Sequence, residues 1–171
     1  MQPGQIGLTG HSRNGKASLI AAALDPRIMA VVESSSGAAG LAPYRFSSVD
    51  AQCERPASSW PGPWWLPSLR AFDGHEDELP IDAHAVAALV APRPLLLANA
   101  ANDYVVPSLA VELAFADALT AYELLGAGAA LRIDPRPGDH HGYEDPGRYH
   151  DWYDRAFNHS SPLSSGTRCG G

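Results

Sequence analysis

The chain has 171 residues, of which 45% are hydrophobic and 18% are charged. This length and composition are typical of one globular domain rather than of a disordered or membrane protein. The net charge of −7, with no basic stripe, argues against a nucleic acid or an anionic membrane as partner. No apolar run approaches the ~20 residues of a membrane span, and the first residues lack the pattern of a signal peptide.

The first half of the chain predicts a strand, a helix and a second strand. A short apolar run predicts a buried strand over Gln5–Leu8, and an alanine-rich segment predicts a helix over Lys16–Leu24. The apolar run Ile28–Glu33 predicts the next strand. Residues 41–80 show no steady periodicity but contain several tryptophans, so we expect an ordered loop region with short helices there.

The second half continues the alternation of strands and helices. Its apolar patterns predict a helix over Asp82–Val90, a strand over Leu95–Asn99, a long helix over Pro107–Leu125, a strand over Ala130–Ile133 and a final helix over Tyr149–Phe157. Such alternation predicts a parallel sheet with helices on both faces. Residues 158–171, rich in serine and glycine, predict a disordered tail.

The most informative motif is GHSRNGK at residues 10–16, which lies between the first strand and the first helix. A serine on a sharp turn from strand to helix, flanked by glycines, is the nucleophile elbow of α/β-hydrolases. Ser12 is therefore the candidate nucleophile. Since strands of this fold normally precede the elbow, we expect residues 1–157 to be the C-terminal part of one α/β-hydrolase domain whose N-terminal strands are missing.

The other groups of a serine hydrolase follow in the expected order of nucleophile, acid and histidine. Asp103 comes directly after the third predicted strand, and His140 and His141 follow the fourth. Glu33, at the end of the second strand, is the rival acid. The sequence leaves open which of the two histidines is the base.

Arg13 and Lys16 follow the serine at the start of the helix. Cations are disfavoured near a helix N-terminus, which favours a functional reason for both. The Arg13 guanidinium can point at a developing oxyanion, and Lys16 can reach a hydroxyl or carboxyl group of a substrate.

A metal site is not expected. Asp139, His140 and His141 stand near Glu144 and Asp145, but the spacing of metal-binding motifs is absent and adjacent histidines diverge in an extended chain. The two cysteines, Cys53 and Cys169, suggest neither a zinc site nor a disulfide framework. We expect no cofactor, and we interpret His11 as a packing residue of the elbow.

The elbow GHSRNGKA resembles that of the glucuronoyl esterases, carbohydrate esterases that cut lignin–carbohydrate esters. The resemblance covers roughly residues 5–157. It includes DPRI at residues 25–28, SSSGAAG at 34–40, LPIDAH at 79–84, LVAPRP at 89–94 and RPGDH at 136–140.

This resemblance implies a serine esterase that acts on esters of 4-O-methyl-glucuronic acid through an acyl-enzyme. It implies that Arg13 stabilises the oxyanion and that Lys16 binds uronate hydroxyls. Further substrate contacts are implied for Tyr104, Glu54 and Trp65 or its neighbour Trp64. Many family members carry a glutamate where this chain has Ser35, which shifts the acid to Asp103. A secreted or periplasmic parent protein is also implied.

Two other interpretations remain open. The phrase HHGY at residues 140–143 also resembles acetylxylan-esterase-like and peptidase-like hydrolases, in which the histidine before the glycine is the base, and this would favour His141. The chain could also be a non-catalytic, truncated fragment. In the leading interpretation the partner is a small-molecule or polysaccharide ester, and the oligomeric state is undetermined.

Overall fold

The computed structural model describes residues 5–46, 67–141 and 146–157. Its centre is a four-stranded parallel sheet in the order β1-β2-β3-β4. The strands are β1 (Ile6–His11), β2 (Ile28–Ser34), β3 (Leu95–Ala100) and β4 (Leu131–Arg136). Because all four strands run parallel, their carboxyl ends lie along one edge of the sheet.

The described part of the chain contains five α-helices. They are α1 (Arg13–Leu24), α2 (Pro67–Arg70), α3 (Ala83–Ala88), α4 (Ser108–Leu124) and α5 (Pro146–Ala156). Two short 3₁₀ turns lie at Glu76–Glu78 and Gly128–Ala130. The fold thus has the predicted alternation of strands and helices.

The two faces of the sheet are covered by different helices. Helices α1, α3 and α4 lie on the same face, as the general rule of right-handed crossovers predicts, and Leu19, Ala87 and Tyr122 pack on the sheet there. The opposite face is covered by α5, whose Tyr149 and Trp152 pack against β2 and β3. The prediction of a parallel sheet with helices on both faces is confirmed.

The strands differ in exposure according to their place in the sheet. All six residues of β3 are buried, and β2 is buried except at Met29, which fits strands covered on both faces. In contrast, β1 pairs with β2 alone among the described strands, and Ile6 is 42% exposed. The nucleophile strand is therefore an edge strand in the described sheet.

The predicted elements are all present, but several boundaries differ. The first strand extends to His11 and the first helix begins at Arg13 rather than Lys16, so that Ser12 alone separates them. The last strand runs on to Arg136, beyond the predicted end at Ile133. At α3 the predicted first residue, Asp82, is the N-cap, because its carboxylate accepts a hydrogen bond from the Ala83 backbone N–H at 2.7 Å.

Helix α5 holds β1 from the second face of the sheet. The Tyr153 hydroxyl donates a hydrogen bond to the Leu8 carbonyl oxygen. A Cβ atom on Gly7 would lie 2.5 Å from Tyr153 Cε1, so the close approach of the ring requires glycine at this position. The last helix thus fixes the strand that carries Ser12.

No helix in the described ranges is long and apolar enough to span a membrane. The predicted tail at residues 158–171 lies outside the described residues, as do Cys53 and Cys169.

Candidate active site

The turn between β1 and α1 presents Ser12 in a strained backbone conformation. Ser12 has φ 55° and ψ −127°, which is rare for a residue other than glycine. Its backbone N–H donates to the Ser34 carbonyl oxygen at 2.8 Å, which ties the turn to the end of β2. A Cβ atom on Gly10 would lie 2.2 Å from the Asn14 carbonyl oxygen, and one on Gly15 would lie 2.9 Å from the Gly10 carbonyl oxygen. The two glycines therefore let the strand and helix approach closely enough to hold Ser12 at the sheet edge.

His140 connects Ser12 to Asp103. Its Nε2 atom lies 3.3 Å from Ser12 Oγ, and its Nδ1 atom lies 3.1 and 3.0 Å from the two carboxylate oxygens of Asp103. The contact with the carboxylate assigns the proton to Nδ1, which leaves the Nε2 lone pair directed at the serine hydroxyl. Both His140 and Asp103 are buried.

The Asp103 carboxylate is held in its ionised form. Burial raises its pKa, but hydrogen bonds from His140, Ser35 and the backbone N–H groups of Val106 and Val105 outweigh burial, so the pKa lies below its usual range. The two N–H groups donate to Oδ1 at 2.9 and 2.8 Å. A fixed negative charge therefore faces the imidazole.

A buried arginine hydrogen-bonds to His140 and to Ser35. Arg136, at the end of β4, is only 3% exposed. Its Nη2 atom donates to Ser35 Oγ at 3.2 Å and to the His140 carbonyl oxygen at 3.1 Å. Sequence reasoning missed Arg136, because RPGDH reads as a loop and nothing local shows that its first residue is buried.

The rival acid, Glu33, is placed elsewhere. Its side chain is fully buried and hydrogen-bonds with Ser36, while Asp103 occupies the position next to His140. Burial raises the pKa of Glu33 to about 8, although the Ser36 hydrogen bond and the charge of Lys16 oppose this rise. The alternative base, His141, is exposed, and its ring lies 4.6 Å from that of His140. The geometry thus favours Asp103 and His140 as the partners of Ser12.

The predicted substrate-binding residues are only partly described. Arg13 is exposed at the first position of α1, directly after Ser12, and Lys16 is half-buried one turn later. The Tyr104 side chain is 58% exposed, and its ring lies 6.2 Å from the His140 ring. Glu54 and Trp65 lie outside the described residues.

The structure also brings together histidines that the sequence did not group. His11, His140 and His141 each place one ring nitrogen within 4.8 Å of those of the other two. The expectation that adjacent histidines diverge was wrong, because residues 140 and 141 lie in a turn rather than in extended chain. The sequence could have indicated His11 as a member of this group, because His11 lies directly before Ser12 at the end of β1.

Three features together define the chain as an α/β-hydrolase of the serine type. They are the parallel sheet, the strained serine between β1 and α1, and the contacts of His140 with Ser12 and Asp103. A family model described as "Glucuronyl esterase, fungi" matches residues 1–126. The chain therefore belongs to the glucuronoyl esterase family, as the resemblance of its motifs predicted.

Individual relatives agree with this assignment. A 4-O-methyl-glucuronoyl methylesterase of Schizophyllum commune is 33% identical over 152 residues, which cover 86% of this chain and 36% of that protein. A carbohydrate esterase of an unknown prokaryotic organism is 36% identical over 126 residues, which cover 72% of this chain and 28% of that protein. The solved glucuronoyl esterase from Solibacter usitatus superposes with a TM-score of 0.80 at 28% identity, over 92% of this chain and 44% of the other. The chain thus spans less than half the length of these relatives.

Proposed function

We propose that this chain carries the serine-hydrolase machinery of an esterase that cleaves esters of 4-O-methyl-glucuronic acid. The observation that carries the proposal is the position of His140, which lies within hydrogen-bonding distance of Ser12 through one ring nitrogen and of Asp103 through the other. Membership of the glucuronoyl esterase family and the names of the methylesterase relatives support this substrate class.

In the proposed reaction, Ser12 Oγ attacks the ester carbonyl while His140 Nε2 takes the hydroxyl proton. The ionised Asp103 carboxylate stabilises the imidazolium that forms. His140 then gives the proton to the departing alcohol, which leaves the glucuronoyl group bound to Ser12. A water molecule, activated by the same histidine, hydrolyses this acyl-enzyme and restores the serine hydroxyl.

The oxyanion of each tetrahedral intermediate needs hydrogen-bond donors near the elbow. In the proposal one of these donors is the backbone N–H of Arg13, because Arg13 follows the nucleophile at the N-terminus of α1. In the proposal the Arg13 guanidinium adds a charged donor, and Lys16 binds hydroxyl groups of the uronate ring. The exposed Tyr104 ring contacts the sugar beside His140. Glu54 and Trp65 remain predicted sugar contacts.

The proposal is tested by hydrolysis of benzyl glucuronate and p-nitrophenyl acetate, measured on the 171-residue chain and on a longer polypeptide that contains it. We expect hydrolysis of the glucuronate ester, lost in Ser12→Ala. Unchanged hydrolysis by Ser12→Ala would refute the proposed nucleophile. Preference for the acetate would instead favour an acetyl esterase.

A further inference from the structure

Three histidine rings from opposite ends of the chain converge beside Ser12. His11 is the last residue of β1, while His140 and His141 follow β4. The ring centroids lie 5.0 Å apart for His11 and His140, 6.0 Å for His11 and His141, and 4.6 Å for His140 and His141. The proposed ester hydrolysis uses one of these rings, and it gives no reason for the other two.

The ring nitrogens are close to the spacing that a transition-metal ion requires. Imidazole is a ligand for Zn²⁺, Cu²⁺ and Ni²⁺, and Zn–N bonds of 2.0–2.1 Å place tetrahedral ligands about 3.4 Å apart. The three ring nitrogens lie within 4.8 Å of one another, so shifts of about 1 Å bring them to that distance. The exposed side chain of His141 can make such a shift at little cost in packing.

His140 is already oriented as a metal ligand would be. Metal-binding histidines commonly donate their other N–H to a carboxylate, which fixes the ring and makes the free nitrogen more basic. Asp103 accepts such a hydrogen bond from Nδ1 at 3.0 Å, so Nε2 is the nitrogen that remains for a metal. On His11, Nδ1 lies 3.4 Å from Ser34 Oγ, which orients the second ring.

From this geometry we propose that His11, His140 and His141 bind a divalent transition-metal ion such as Zn²⁺ above Ser12, and that the bound ion switches off ester hydrolysis. The inhibition follows because metal binding and proton transfer need the same lone pair. His140 Nε2 cannot bind the ion and accept the Ser12 proton at the same time. The inhibitory effect rests on the proposed function, whereas metal binding does not.

Binding is measured by titrating ZnCl₂ into the full chain carrying Ser12→Ala, with isothermal calorimetry in a non-chelating buffer. We expect one site, whose affinity falls by about tenfold or more when His11→Ala or His141→Ala is added, since loss of even an outer partner of a metal site costs about 10–100-fold. The matched control is His75→Ala, because His75 is also exposed but faces Glu78. Circular dichroism checks folding, and His11→Gln replaces His11→Ala if the latter does not fold.

Inhibition is measured as the glucuronate ester hydrolysis rate relative to each protein's own rate without metal. We expect Zn²⁺ to inhibit reversibly, EDTA to restore the rate, and His141→Ala to need about tenfold more Zn²⁺. Mg²⁺, which prefers oxygen ligands, should have no effect.

Equal Zn²⁺ affinity in the parent, His11→Ala and His141→Ala proteins would overturn the proposal, as would the absence of binding at about 100 μM, far above the dissociation constants of built zinc sites. A chain that binds Zn²⁺ through these histidines but hydrolyses no ester would support the metal site and contradict the proposed function alone.

Discussion

The guanidinium group of Arg136 donates from a single nitrogen, Nη2, to Ser35 Oγ at 3.2 Å and to the His140 carbonyl oxygen at 3.1 Å. Ser35 in turn is among the groups that lower the pKa of the Asp103 carboxyl group. One buried cation therefore contacts the neighbours of both the acid and the base. We therefore expect Arg136 to hold His140 in position relative to Asp103 without touching the reacting atoms.

We expect Arg136→Lys to lower kcat for ester hydrolysis by about 10–100-fold with little change in KM, because a misplacement of about 1 Å in a catalytic group can cost 10²-fold. Lysine keeps the charge but loses the rigid, planar guanidinium group that holds Nη2 between its two acceptors. Steady-state kinetics gives both constants. Arg27→Lys is the control, since Arg27 is exposed and pairs with Asp25. An unchanged kcat in Arg136→Lys would show that Arg136 does not position His140.

Two variants test which residue is the acid, and in each a carboxyl group is replaced by an amide of about the same size. We expect Asp103→Asn to lower kcat by roughly 10³–10⁴-fold, because the amide cannot stabilise the imidazolium and favours the wrong tautomer. Glu33→Gln should change kcat less than about threefold, since the Glu33 carboxyl group is bonded to Ser36 rather than to His140. The opposite ranking of the two variants would identify Glu33 as the acid.

Glu33 should make stability depend on pH. Burial raises its pKa from 4.5 to about 8 in the folded chain. Between these values the unfolded state releases the proton that the folded state keeps. The contribution of protonated Glu33 to the free energy of unfolding is therefore complete below about pH 4.5 and is lost as the pH rises towards 8.

The steepest expected loss from this group is about 1.4 kcal/mol per pH unit. Chemical denaturation at several values across this pH range measures it, with Glu33→Gln as the comparison. The variant cannot ionise at this position, so its free energy of unfolding should fall less steeply over the same range. Parallel pH profiles for the two proteins would contradict the raised pKa.

The elbow should not tolerate a side chain at Gly10. An added Cβ would meet the Asn14 carbonyl oxygen at 2.2 Å, and backbone cannot move aside as a side chain can. We expect Gly10→Ala to lower the free energy of unfolding by about 3 kcal/mol or more. Gly128→Ala is the matched control, because the atom nearest to a Cβ added at Gly128 is Cγ of the flexible Glu123 side chain, at 3.2 Å. Thermal unfolding compares the two, and equal melting temperatures would contradict the close approach.

Local patterns predicted the sheet and the placement of Ser12, Asp103 and the pair His140 and His141 at one edge, because parallel strands bring the residues that follow them to one edge. They could not predict which ionisable groups are buried. Arg136 and Glu33 lie in segments whose neighbours come from distant parts of the chain, and burial depends on those neighbours. The approach of His11 to His141 likewise depends on the turn after β4, which sequence periodicity does not describe.

The hydrogen bond from Tyr153 to Leu8 joins residues that are 145 positions apart in the chain. During translation β1 leaves the ribosome before α5, so its support on the second face of the sheet is made only after the serine has been synthesised. A nascent chain that ends before α5 therefore lacks this contact with the strand that leads to Ser12. Loop closure over this distance must precede the contacts that reward it, so synthesis of α5, rather than synthesis of the serine, limits when β1 gains this support.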